Sequence, residues 1–230
     1  MKGAQLPLAV QLRDTASFES YFAGTNGEAV AALRELQQPL LLCGPVGSGR
    51  THLLQSACRE FGGAYLPLTD LLPHGPEMLD GYSGVSAVWI DDIDSVCDQA
   101  DWCIALLRLL DQLRSDGRRV ALTANTTPEH LNVARPDLRT RLSQCLVLGL
   151  KTLDDQQRAA LLRLRAGQRG LTIPDEVLRW LLNTQARDTG SLLEALDTLD
   201  RASLTAKRRV TLPLAQAALG SRDGYTNPLP

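Results

Sequence analysis

Two hydrophobic rhythms alternate along the first two thirds of the chain. Short apolar runs at Pro39–Cys43, Ala64–Leu68, Ala87–Ile90 and Arg119–Ala124, with a fifth at Cys145–Leu148, are too continuous for half-exposed strands and too short for helices. Between them, residues 28–37, Thr51–Phe61 and Trp102–Arg114 carry apolar positions at helical spacing. Strands separated by helices of this length must pair in parallel with helices over both faces, which predicts a doubly wound α/β unit. Ligands of such sheets sit at the carboxyl ends of the strands. After Lys151 the strand signal fades. Residues 154–170, 174–184 and 190–207 read as helices, with Asp154 and Asp175 as starting acids and Gly170 as a stop. A short extended piece, Arg209–Leu212, precedes a last helix at Pro213–Leu219.

Composition narrows the classes. Basic and acidic residues nearly cancel, 24 against 26, so no general positive field would draw the chain onto DNA. No run reaches the roughly 18 apolar residues of a membrane span, and the first residues lack a signal-peptide core, so the expectation is a cytoplasmic protein with no membrane partner. Cys43, Cys58, Cys97, Cys103 and Cys145 are odd in number and show no CxxC spacing, which predicts buried free thiols. His52, His74 and His130 are scattered and predict no metal centre.

The first strand ends in Gly44-Pro45-Val46-Gly47-Ser48-Gly49-Arg50-Thr51-His52, a candidate nucleotide-binding stretch that runs into a helix. Glycines let successive N–H groups turn toward a phosphate, and the helix start adds partial positive charge. Thr51 offers a hydroxyl to Mg²⁺. Arg50 stands where such loops carry lysine. Its planar fork keeps the charge but is not the compact cation that sits between phosphates, so ADP or ATP should be bound better than hydrolysed. The third strand runs into Asp91-Asp92-Ile93-Asp94. Asp91 falls at the carboxyl edge beside the loop, placed to hold the water shell of Mg²⁺, and Asp92 is placed to orient an attacking water.

The ordered set of this loop, IDDID, LTANTTPEHL (Leu122–Leu131) and PDLRTRL (Pro136–Leu142) resembles the AAA+ domain of the bacterial replication initiator DnaA. Within that clade, GSGRTHLLQSAC and LDRASLTAKRRVTLPLAQAAL (Leu199–Leu219) are most similar to the Hda family of regulatory inactivators of DnaA. The resemblance implies a P-loop AAA+ parallel five-stranded sheet followed by a small all-α lid. The segments expected are a clamp-binding stretch at 1–14, the nucleotide-binding domain at 15–150, the lid at 151–220 and a tail at 221–230. It implies a sensor role for Asn125, an arginine finger at Arg141 offered to a neighbouring subunit's nucleotide, and a lid arginine at Arg187 reaching the phosphates. Phe18, Tyr21 and Phe22 lie in an entry segment that leads toward the base. From the residues alone, Phe18 and Phe22 fit core packing equally well, and Arg135, Arg139 and Arg141 fit a solvated basic turn.

Gln5, Leu6 and Leu8 match a peptide that fills the groove of the DNA polymerase III β sliding clamp, although Ala9 and Val10 are small for it. A docked apolar strand is the other reading of these residues. The function implied is therefore a regulator that, with the DNA-loaded clamp, stimulates ATP hydrolysis by DnaA, binds ADP with little turnover of its own and meets DNA only through the clamp. Homo-oligomers fit the head-to-tail habit of the clade. A DnaC-like ATPase that loads a helicase on single-stranded DNA, and a passive DnaA-binding adaptor, are the alternatives.

Overall fold

The computed structural model describes residues 16–184, 189–206 and 208–220. The candidate clamp residues Gln5, Leu6 and Leu8 and the candidate lid residue Arg187 lie outside them. Contacts divide the chain into two compact units between Thr152 and Leu153.

In the first unit, β1 (Leu40–Cys43), β2 (Ala64–Pro67), β3 (Ala87–Asp91), β4 (Arg119–Ala124) and β5 (Leu146–Gly149) form one parallel sheet in the order β2-β3-β4-β1-β5. The five-stranded parallel sheet is the one the apolar runs predict. β1 and β3 are buried along their whole length, which explains why their sequences do not alternate. Helices α1 (Gly27–Glu35) and α2 (Arg50–Phe61) share a core with Leu40, Leu42 and Trp89, while α4 (Ala100–Ser115) and α5 (Pro136–Ser143) share one with Leu41, Ile90 and Leu122. Each buried leucine contributes about 1.5 to 3 kcal/mol, and the core residues alternate between the two faces along each strand. Between β2 and β3 the chain forms a single helical turn, α3 (Leu68–Leu71), and a series of 3-10 turns up to Gly84.

The regular elements of the second unit are, among the described residues, all helices: α6 (Asp155–Gln168), α7 (Asp175–Thr184), α8 (Thr189–Ala206) and α9 (Leu212–Leu219). Asp154 caps α6 by accepting from the Gln157 N–H at 2.8 Å, and the Gln157 side chain accepts from the Asp154 N–H. The piece at Arg209–Leu212 forms no strand; Thr211 instead caps α9. Among the described residues no helix is long and apolar enough to cross a membrane. Cys43, Cys58, Cys97 and Cys103 are buried, Cys145 is half-buried, and all five are free.

Candidate functional site

β1 delivers the glycine loop to the carboxyl end of the sheet, where the Gly44 N–H donates to the Ala124 carbonyl at 3.1 Å and pins the loop to the end of β4. A side chain at Gly44 would meet the Leu150 carbonyl at 2.7 Å. Gly49, the N-cap of α2, has φ +92°, and a Cβ there would stand 2.6 Å from the Tyr21 ring. Both glycines are therefore needed for close approach, and Gly49 also for its backbone conformation. Val46 projects into solvent at 82% exposure, whereas Ser48 and Arg50 are buried. Two buried polar atoms of these residues have no partner among the described residues: Ser48 Oγ and one Arg50 guanidinium nitrogen, Nη1. Buried polar atoms cost energy unless satisfied, so the pair fits an anion at the loop.

The other Arg50 nitrogen, Nη2, lies 3.1 Å from Asp92 Oδ1. Asp92 adopts a left-handed backbone with φ +54°, and it is the sole non-glycine among the described residues to do so. Burial, reinforced by the neighbouring Asp91 charge and only partly offset by Arg50, pushes its carboxyl up to about 6. Asp91 is buried beside it. One oxygen accepts from the Thr123 hydroxyl and the other from the Tyr65 hydroxyl at 2.6 Å. Burial and the Asp91 charge push the Tyr65 phenol well above its ordinary range. The Asp92 N–H donates to Thr123 Oγ1 at 2.8 Å, so three adjacent strands hold the Asp91 carboxylate and the Asp92 backbone.

Asp94, the third acid, accepts from the Asn125 N–H at 2.9 Å and holds that residue at the end of β4. Asn125 is exposed and lines a 530 Å³ cleft with Asp94, Asp98 and His130. Thr51 stands in the first turn of α2, half-buried. His52 turns toward the entry segment, its Nε2 3.0 Å from the Ser17 carbonyl and 3.1 Å from the Ser20 hydroxyl. Phe18 belongs to the core, 6.3 Å from Phe61 between ring centres, with Arg34 over its face. Tyr21 behaves differently. Its hydroxyl donates to the Ser48 carbonyl at 3.3 Å and accepts from the Asn26 amide at 3.2 Å. Asn26, buried, also exchanges two 2.9 Å hydrogen bonds with the Lys151 backbone and so ties the entry segment to the end of the sheet domain. Tyr65, Thr123 and Asn26 escape a reading of motifs because their importance comes from partners distant in sequence.

Arg141 lies at the other end of the sheet. It shares a 490 Å³ pocket with Pro39 and Arg119, which sit at the amino ends of β1 and β4. The four residues of β1, about 13 Å at the usual strand rise, separate this level from the glycine loop. The pattern PDLRTRL forms the two-turn helix α5. Arg135 pairs with Asp137 at 2.7 Å, and Arg139 donates to the Leu131 carbonyl at 3.0 Å, so both serve local structure. Arg141 pairs with Asp111 at 2.5 Å, donates to Gln144 at 2.8 Å and keeps its Nε buried without a partner.

Comparison with known proteins identifies the helical unit. Residues 155–219 match the family model of the Hda lid domain. The chain carries an Hda lid domain. Domain III of the replication initiation protein DnaA from Thermotoga maritima aligns with a TM-score of 0.75 at 23% identity, over 91% of this chain and 98% of that one. AMPPCP-bound DnaA from Aquifex aeolicus gives 0.65 at 19% identity, over 81% and 65%. A RuvB variant from Thermotoga maritima gives 0.63 at 16% identity, over 86% and 67%. The likenesses show that the sheet unit preceding the Hda lid has the fold shared by DnaA domain III and RuvB. Because RuvB and DnaA both share the fold, it is the lid that separates this chain from the wider class.

Proposed function

We propose that this Hda-like, DnaA-related AAA+ protein binds ADP or ATP at its glycine loop and, with the DNA-loaded sliding clamp, stimulates ATP hydrolysis by DnaA, thereby restraining replication initiation. The observation that carries the reading is the separation of Arg141 from the chain's own loop by the length of the sheet, in a chain with an Hda lid. A cation so placed serves a nucleotide held by another subunit. Phosphoryl transfer depends mostly on charge placement, and one arginine supplied in trans raises its rate by about 10³ to 10⁵.

At the chain's own loop, the backbone from Gly44 to Gly49 would cradle the phosphates, with Ser48 Oγ and Arg50 Nη1 as the unsatisfied donors. Thr51 and Asp91 would hold Mg²⁺, which neutralises phosphate charge when bound. The hydroxyls of Tyr65 and Thr123 keep Asp91 oriented for that role. Asn125 would sense the terminal phosphate, and Arg187 would reach it from the lid. His52 supports the site from outside by anchoring the entry segment. Arg50, a planar fork paired with Asp92 in place of a compact cation between phosphates, supports weak turnover. Gln5, Leu6 and Leu8 would bind the clamp and raise the local concentration of the regulator where DNA has been replicated.

The test is hydrolysis of ATP bound to DnaA, with purified protein and DNA-loaded clamp. Wild type accelerates it, and the Gln5→Ala/Leu6→Ala variant acts only at much higher protein concentration. Hydrolysis by this chain alone on single-stranded DNA, without effect on DnaA, would assign it to the loaders instead.

A further inference from the structure

Arg141 is one of four arginines around its pocket, the others being Arg114, Arg118 and Arg119. Arg119 is stacked 4.7 Å from the centre of the Phe61 ring and is thereby engaged elsewhere. Arg114 is not. Its Nη1 donates at 3.1 Å to Oε1 of Gln144, the same oxygen that accepts from Arg141 Nη1 at 2.8 Å. Two full positive charges, one from the end of α4 and one from α5, thus converge on a single neutral acceptor. They stand no farther apart than those two hydrogen bonds laid end to end. Asp111 forms an ion pair with Arg141. Like charges at such separation repel one another, and more strongly beside protein than in bulk water. The buried Nε of Arg141 adds a donor with no acceptor. An anion with several oxygens would relieve the crowding of the two cations, and guanidinium forks match phosphate oxygens in pairs.

We propose that Arg114 is a second cation for the triphosphate held by the partner subunit, acting beside Arg141, and that Gln144 is the positioning residue that aims both. The inference rests on the reading of Arg141 as a finger offered in trans. It adds that the site is a two-arginine clamp. Arg114, being exposed, contributes to neutralising the phosphates during reaction and little to the stability of this chain.

The experiment is single-turnover hydrolysis of ATP preloaded on DnaA, with DNA-loaded clamp, as a function of regulator concentration. At saturation, Arg114→Ala lowers the rate constant about tenfold, leaves the half-saturating concentration within about twofold, and melts at the wild-type temperature. Arg114→Gln, which keeps hydrogen-bonding capacity without charge, gives the same loss, whereas Arg114→Lys recovers part of the rate. Gln144→Ala falls between wild type and Arg114→Ala. If Arg114→Ala and Arg114→Gln run at the wild-type rate while Arg141→Ala is inactive, the two-arginine clamp is overturned and the single finger stands. If wild type gives no acceleration, both the finger and the clamp fall.

Discussion

The two ends of the sheet hold arginines in opposite circumstances. At the carboxyl end, Arg50 is buried, faces an adjacent carboxylate at 3.1 Å and belongs to a loop whose glycines leave room for phosphates. At the amino end, Arg141 and Arg114 gather around one amide oxygen, with Asp111 paired to Arg141. The first arrangement is internally neutralised and suits holding a ligand. The second carries excess positive charge and suits meeting an anion brought by another molecule. On the proposed function, the fold keeps nucleotide binding and activation in trans apart by placing them at opposite strand ends, which head-to-tail association of subunits can exploit.

The largest expected effect comes from breaking the amino end. Arg141→Ala lowers stimulation of DnaA hydrolysis by about 10³-fold, while isothermal titration gives an unchanged affinity of this chain for ADP. At the carboxyl end, Gly49→Ala forces a side chain into a φ of +92° and against Tyr21, and reduces ADP affinity at least about tenfold by the same titration.

Asp92→Asn sharpens the contrast through pH. The carboxyl of Asp92 is raised from its ordinary 3.8 to about 6, so the folded state favours its protonated form. The stability this confers is complete below 3.8 and is lost as pH rises through about 6. Relative to wild type, the asparagine variant is therefore more stable at pH 8, by about 1 kcal/mol after allowance for solvent screening, and the difference fades toward pH 4. Urea unfolding at both pH values checks it. The smallest effect is that of Tyr21→Phe, which loses a 3.3 Å hydrogen bond to the Ser48 carbonyl and should weaken ADP binding about two- to threefold.

The contrast between the two ends was only half legible in the sequence. β1, β3 and β4 announce themselves because central parallel strands are apolar on both faces, and the loop after β1 follows from its glycines. The same logic could not anticipate the turns from Leu68 to Gly84, where Pro73, Gly75, Pro76 and Gly81 erase any period. PDLRTRL fits a basic turn equally well in sequence, and only its packing through Leu138 and Leu142 shows a helix. The Arg50 to Asp92 pair joins residues 42 apart, and the hydroxyls on Asp91 come from 26 and 32 residues away. Such partners are set by strand order, which no local pattern encodes. Likewise, the crowding of Arg114 and Arg141 on Gln144 depends on how α4 lies against α5.

The account turns on whether the two ends can be disabled independently, so the decisive measurement is a paired one on Arg50→Ala and Arg141→Ala. Each is assayed for ADP affinity and for single-turnover hydrolysis of DnaA-bound ATP with DNA-loaded clamp, the latter at saturating regulator. The account predicts that Arg141→Ala binds ADP as wild type does and fails to stimulate hydrolysis, while Arg50→Ala binds ADP poorly. Full stimulation by Arg141→Ala, or a loss of ADP affinity in that variant equal to that of Arg50→Ala, would contradict the division of roles between the ends of the sheet.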